Sequence, residues 1–461
     1  MNTMTAQTNP LGTEKIHKLI LKYSVPCVIS MLVNSIYNIV DQIFIGQKIG
    51  YLGTGATNVA FPLVTLSMAI ALLIGDGQAA NFSLKLGRNK KEDAEKSLGN
   101  AVTLAIICGL AFLIFGLAFL TPLLKLFGTT DAIMPLAQSY TSITIIGLPF
   151  VIFGTMMNST IRADGSPQYA MYTMLIGAVI NIVLDPIFLF VLDFGIEGAA
   201  IATIIGQFVT FLFAVRYLKH LKHIKFKKEN LKLKIKCIKE FLPLGISSFI
   251  TQMAITLVQI VMNNTLKYYG AISVYGSEIP LAALGIVMKI NQILMSVLIG
   301  VAVGSQPVFG FNYGAKNYLR VRKAYKTAVL ITTTFSIIGF LFFQFSPQLI
   351  INLFGQENAL YNEFAVKCFK IFLLCVFFTG FQTTSSIFFQ AIGKPIKSTL
   401  LSLSRQIIFL IPLMIFLPMI FGIEGTLMAG PISDILAFLL AGVFIFLQMK
   451  ELKQKELQKT L

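Results

Sequence analysis

Two carboxylates stand where a carboxylate is expensive. Asp185 lies in the run Asn181-Ile-Val-Leu-Asp185-Pro-Ile-Phe-Leu-Phe, and Asp41 in the run Ser35-Ile-Tyr-Asn-Ile-Val-Asp41-Gln-Ile-Phe. At the centre of a membrane-spanning helix an Asp costs roughly 2.5 to 3.5 kcal/mol on insertion scales, so each is a candidate for handling ions or protons. Asn181 precedes Asp185 by one helical turn, which puts both side chains on one helix face. The other familiar chemistries are missing. The five Cys (27, 108, 237, 368 and 375) form no metal-type pair, the three His (17, 220 and 223) fall at span ends, and no P-loop or nucleophile motif is present. The chain therefore does not read as an enzyme, and it offers no residues for a nucleotide-binding domain.

The elements that position these residues follow from composition. Of 461 residues 56% are apolar and 12% charged, with a mean hydropathy of +0.78, a balance that no soluble domain of this length carries. Apolar windows long enough to cross a hydrocarbon core of about 30 Å as helices recur along the whole chain. Twelve are expected: 16–46, 53–83, 97–124, 132–160, 169–192, 196–217, 239–266, 280–303, 325–353, 361–391, 396–420 and 424–448. Continuously apolar stretches such as Leu104-Ala-Ile-Ile-Cys108 lack the period-two pattern of a membrane β-barrel. The fold class is an all-α integral membrane protein.

The net charge of +17 is concentrated in alternate loops. Lys85, Arg88, Lys90 and Lys91, the lysine stretch 219–239, Lys316 with Arg320, Arg322 and Lys323, and Lys394 with Lys397 hold most of it, whereas Asp131, Asp193, Glu197, Glu278, Glu357 and Glu424 lie in the loops between. The positive-inside rule places the basic loops and both termini in the cytoplasm. The lysines thus serve topology and contact with anionic lipid, and no nucleic-acid partner is expected. The first fifteen residues lack the charged start and short apolar core of a cleavable signal, so the first span is expected to be retained.

The chain repeats itself. Gly-Ile-Glu-Gly at 195 returns at 422, and Ala163-Asp-Gly-Ser-Pro167 is answered by Ala391-Ile-Gly-Lys-Pro395 at nearly the same offset; Gly77-Gln78 and Ser305-Gln306 follow in order. An even number of spans per half gives parallel copies related by an axis along the membrane normal, an arrangement suited to alternating access. The expected organisation is an N-terminal six-helix lobe (1–217), a basic cytoplasmic linker (218–237) and a C-terminal six-helix lobe (238–461). Counted at about 1.5 Å per residue from the span ends, Asp41, Asn181, Asp185 and Thr203 reach a comparable depth in the outer half of the first lobe.

Four segments carry a resemblance: Tyr37-Asn-Ile-Val-Asp41-Gln-Ile-Phe-Ile-Gly46, Arg162-Ala-Asp-Gly-Ser-Pro167, Asn181-Ile-Val-Leu-Asp185-Pro and Gly195-Ile-Glu-Gly-Ala-Ala-Ile-Ala-Thr203. In this order the chain resembles the multidrug and toxic compound extrusion (MATE) transporters, within them the MepA-like bacterial branch. The resemblance implies a V-shaped pair of lobes in a bacterial inner membrane that exports organic cations in exchange for protons or sodium, without a cofactor. It also implies that Asp41, Asn181, Asp185 and Thr203 form the proton or cation site, including a possible Na+ site, and that Pro26 marks a helix bend. Two carboxylates held together cannot easily both be charged, so such a pair can hold a proton, or its oxygens can embrace a hard cation. A 6+6 chain can work as a monomer.

The second lobe departs from members that carry acids in spans 7 and 10, because no Asp or Glu occurs between Glu240 and Glu278 or between Glu363 and Glu424. Thr251, Gln252, Gln259, Thr379 and Gln382 could instead hydrogen-bond a drug there. Asp76 is expected to be structural, Asp434 to pair with Arg405, and Lys289 to be paired or to snorkel to a span end. A second reading is a flippase for a lipid-linked polyanion built on the same two bundles. Such a cargo asks for a basic cavity, and only Lys289 and Arg405 lie well inside spans.

Overall fold

The computed structural model describes residues 9–127, 129, 131–276, 278–353 and 359–460, and among them there is no strand. The first bundle is built from α1 (Ile16–Ile49), α2 (Tyr51–Gly87), α3 (Lys91–Ala118), α4 (Met134–Ala163), α5 (Pro167–Pro186, extended by a π-helical turn Ile187–Val191) and α6 (Gly195–Tyr217). The second holds α7 (Ile235–Ala271), α8 (Glu278–Gly314), α9 (Tyr318–Phe345) and four further segments. Of these, α10 is two pieces, Ala359–Phe372 and Val376–Ala391, meeting at a bend of 41°. The helical stretch from Pro395 onward contains both α11 (395–421) and α12 (423–460), because Gly422 breaks it at φ +60°, a conformation that glycine adopts without a Cβ clash. With that break counted, the twelve expected spans are all present. Glu357 lies outside the described residues.

Local sequence sets the ends. Pro167 and Pro395 open α5 and α11, at the helix position where a missing amide costs nothing. Pro186 has the opposite effect. It removes the amide that would close onto Ile182, and α5 goes on as a π-helical turn directly after Asp185. The last helix continues through the basic tail, where Glu451 takes both Lys394 (2.5 Å) and Lys455 (2.7 Å).

The bundles meet along their basic halves. Gly245 of α7 packs against the Leu73 carbonyl of α2, and Gly77 against Phe241; a side chain at either glycine would collide with backbone. On the other diagonal, a Cβ at Gly304 or Gly300 of α8 would sit 2.6 Å from Ser24 Cα or 2.7 Å from Val28 Cα of α1. The last contact of this series is Ser35 Oγ to Ser296 Oγ at 2.9 Å. Farther from the basic side the same helix faces carry exposed residues: Ile39 on α1, Asn58 on α2, Gln259 and Asn263 on α7, Lys289 and Gln292 on α8. A cleft therefore opens between the bundles on the side away from the basic loops.

The basic connection is pinned to the first bundle. Asp164, fully buried in the α4–α5 turn, accepts hydrogen bonds from the backbone amides of Lys222 (2.7 Å) and His223 (3.1 Å) and from the Tyr217 hydroxyl (2.9 Å). Asn100 Oδ1 of α3 accepts from the Lys234 amide at 2.5 Å, and Thr103 donates to the Leu231 carbonyl at 2.7 Å. Helix α7 starts at Ile235, inside the stretch read from sequence as linker.

Candidate functional site

Within the first bundle, α5 and α6 touch at Gly177 and Gly206. A Cβ on Gly206 would lie 2.6 Å from the Gly177 carbonyl oxygen and 3.4 Å from Asn181 Cβ. That close approach brings Asn181 onto Thr203. The Asn181 amide donates to Thr203 Oγ1 at 3.3 Å and to Asp185 Oδ1 at 3.2 Å, the latter along one face of α5. Asp41 arrives from α1 within electrostatic reach of Asp185. All four residues that the sequence singled out thus come together, with Asp41, Asn181 and Asp185 each buried.

Four more side chains complete the cluster. Gln42 donates to Asp41 Oδ2 at 3.3 Å and accepts from Thr57 Oγ1 at 3.0 Å, which ties the site to α2. Tyr37 and Tyr140 lie within electrostatic reach of both carboxylates. Tyr37 and Gln42 stand inside the Asp41 motif and could have been picked out with it. Tyr140 and Thr57 carry no such signal, because their proximity comes from packing between helices distant in sequence.

Three buried oxygens in this cluster, Asp41 Oδ1, Asp185 Oδ2 and Asn181 Oδ1, have no donor. Buried acceptors left in this way are rare in folded proteins and ask for an explanation. A proton on the carboxyl pair, or a hard cation among the oxygens, would satisfy them, so the donor set fits either ion. Among the described residues no group of three or more His, Cys, Asp and Glu gathers to hold a transition metal.

The remaining candidates separate by position. Pro26 is buried in α1, two residues from the Val28–Gly300 contact, and its carbonyl accepts from Ser30 Oγ at 2.8 Å. Gln252 and Gln259 lie on the face of α7 that holds Gly245, with Gln259 exposed to the cleft. Thr379 and Gln382 differ from the sequence-based expectation. Both are buried, donating to the Val376 carbonyl (2.6 Å) and the Leu401 carbonyl (3.1 Å), so they serve packing inside the second bundle and not the cleft. Thr251 likewise donates to the Ser247 carbonyl at 2.7 Å. Arg405 Nε meets Asp434 Oδ1 at 2.7 Å. Asp76 joins the bundles, accepting from Ser159 of α4 and Ser248 of α7, both at 2.8 Å. Lys289, expected to be paired or to snorkel, is exposed and has no acceptor among the described residues.

Two parallel six-helix bundles around a one-sided cleft define a membrane transporter of the two-bundle class. The MatE family model matches residues 26–187 and 247–416, well over half of the chain, and the chain belongs to that family. It is 23% identical over 435 residues to the multidrug export protein MepA of Staphylococcus aureus (strain MRSA252), covering 94% of both chains. Its fold matches the outward-facing conformation of a multidrug resistance MATE family transporter of the MOP superfamily, with TM-score 0.90, 24% identity and 98% and 100% of the two chains covered. It also matches a MOP superfamily transporter from Pyrococcus furiosus Vc1 (DSM3638), whose reversed binding-pocket polarity was taken to suggest a different function (TM-score 0.89, 24% identity, 98% and 99% covered).

Proposed function

We propose that this protein is a multidrug efflux antiporter of the bacterial cytoplasmic membrane. It exports lipophilic organic cations by alternating access in exchange for protons or sodium, with both termini in the cytoplasm. The observation that carries this reading is the Asp41–Asp185 pair, buried in one bundle with oxygens that lack donors, beside a cleft open on one side only. Residues 1–217 and 238–461 form the two rocking bodies, and the chain works as a monomer. A relative at 23% identity is named as a multidrug export protein, which supports small-molecule cargo.

In the cycle, arrival of a proton or sodium ion at Asp41, Asn181, Asp185 and Thr203 neutralises the pair and changes how α1 packs against α5. Pro26, which leaves the Lys22 carbonyl without its helical amide, is the point at which α1 can bend. Loss of drug affinity with ion binding, and the reverse, couples the two fluxes, since linkage between sites is reciprocal. A polyanion flippase is the less favoured reading, because the cleft is lined by amides and carries one lysine at its middle depth.

The test is efflux of a cationic dye, ethidium, from everted vesicles. Asp41→Asn and Asp185→Asn should each lower ion-coupled efflux at least about a hundredfold, the loss of a charge-dependent step, with normal membrane insertion. Wild-type rates in both variants would sink the reading. Proteoliposomes energised separately with a proton gradient and a sodium gradient then identify the coupling ion.

A further inference from the structure

Lys289 is an ammonium without a counter-charge in the wall of the cleft. Its place follows from helix register. On α8, Gly304, Gly300 and Ser296 all face α1, and Lys289 lies on that same stripe, two turns or about 10 Å beyond Ser296. There α1 no longer packs against it. Gly285, one turn farther out, has nothing within 4 Å of where its Cβ would be, and Lys289 and Gln292 are both exposed.

Counting about 1.5 Å per residue outward from the Gln306–Asp76 and Gly245–Leu73 contacts brings Lys289 and Gln259 to one depth. The antiparallel count along α1 from Ser35 brings Gln42 to the same level. At this depth the second bundle thus offers an ammonium with amides from Gln259 and Gln292. The first bundle offers the Gln42 amide, with Asp41 buried behind it. The nearest acid on the Lys289 stripe is Glu278, three turns farther out at the mouth, and Lys267 of α7 stands near that rim. Neither Lys289 nor Lys267 forms an ion pair among the described residues.

We propose that Lys289 is a specificity-determining residue that binds an anionic group of the cargo, so that of two cationic aromatic amphiphiles differing only in a carboxylate, the one that carries it is held more tightly. This deepens, and rests on, the reading of the protein as a drug exporter. The carboxylate pairs with Lys289 and the Gln259 and Gln292 amides, and the cationic end turns toward the first bundle and its acidic pair. Between apolar helix walls such a charge-assisted hydrogen bond is screened less than on an open surface. A cargo with cationic charge alone meets an unbalanced ammonium in the cleft.

The test uses a xanthene dye with a free benzoate and a cationic amine, a carboxyrhodamine, together with its methyl ester, which keeps the cation and loses the anion. Their dissociation constants for the purified full-length transporter in detergent are measured by fluorescence anisotropy. The wild type should favour the zwitterion, Lys289→Gln should shift the ratio of the two constants about tenfold toward the ester, and Lys289→Arg should hold the ratio within about twofold. An unchanged ratio in Lys289→Gln, or a wild type that binds neither dye, overturns the proposal. Efflux of the same dyes is read separately. Selective binding without efflux upholds the role of Lys289 and overturns the exporter reading, and efflux with no change in the binding ratio does the reverse.

Discussion

At the scale of single residues, the acidic pair depends on a gap where two glycines touch. Gly206 lets α6 approach α5 closely enough for Asn181 to bridge Thr203 and Asp185. Gly206→Val should wedge the helices apart at a cost of about 1 to 3 kcal/mol, as overpacking does, and should abolish dye efflux even in protein that still inserts. Thermal unfolding in detergent beside a vesicle assay checks both halves of that expectation. Asp41 and Asp185 were legible in sequence because a carboxylate in an apolar run is conspicuous without any structure; Asn181 followed from its one-turn spacing to Asp185, and Thr203 from its depth and the family resemblance. Thr379 and Gln382 were misassigned for a related reason. Composition says that a hydroxyl or amide is present in a span, but not whether it faces a cleft or a neighbouring carbonyl, and theirs face carbonyls.

At the scale of elements, the floor of the cleft is a polar junction of helices. Asp76 of α2 holds Ser159 of α4 and Ser248 of α7, Gln390 of α10 also donates to Ser248 (3.1 Å), and Arg162 hydrogen-bonds both Ser159 and Asn158. Removing the central carboxylate takes the acceptor from two hydroxyls and the counter-charge, 4.0 Å away, from the buried Arg162 guanidinium. Asp76→Ala should destabilise the protein by about 1 to 3 kcal/mol, read as a lowered unfolding midpoint, and Asp76→Asn by less. A midpoint unchanged in the alanine variant would show that the junction contributes nothing. Helix number and type could be read from hydropathy alone. The broken α10 and the π-helical turn after Pro186 could not, since both depend on which backbone groups find partners in the folded bundle. Gly422, by contrast, stood in a visible repeat of Gly195, and each of the two has a positive φ.

At the scale of the whole molecule, the duplication was legible and the direction of the cleft was not. A repeat predicts two bundles, but only the glycine contacts of α1 with α8 and of α2 with α7 reveal that they close on the basic side. If transport requires those bundles to part there, a bond across the last contact stops it. Ser35→Cys combined with Ser296→Cys, replacing hydroxyls 2.9 Å apart, should form a disulfide under oxidation, halt dye efflux and regain it on reduction. Efflux that continues in fully cross-linked protein would mean that the bundles pivot without separating at this point. The anchoring of residues 218–234 has its own consequence. Because Asp164, Asn100 and Thr103 hold that segment down to Lys234, it is part of the first bundle and supplies no slack. The leash between the two halves shortens to the first turn of α7, so if the halves swing as proposed the fulcrum lies there, next to the Lys85–Glu240 ion pair.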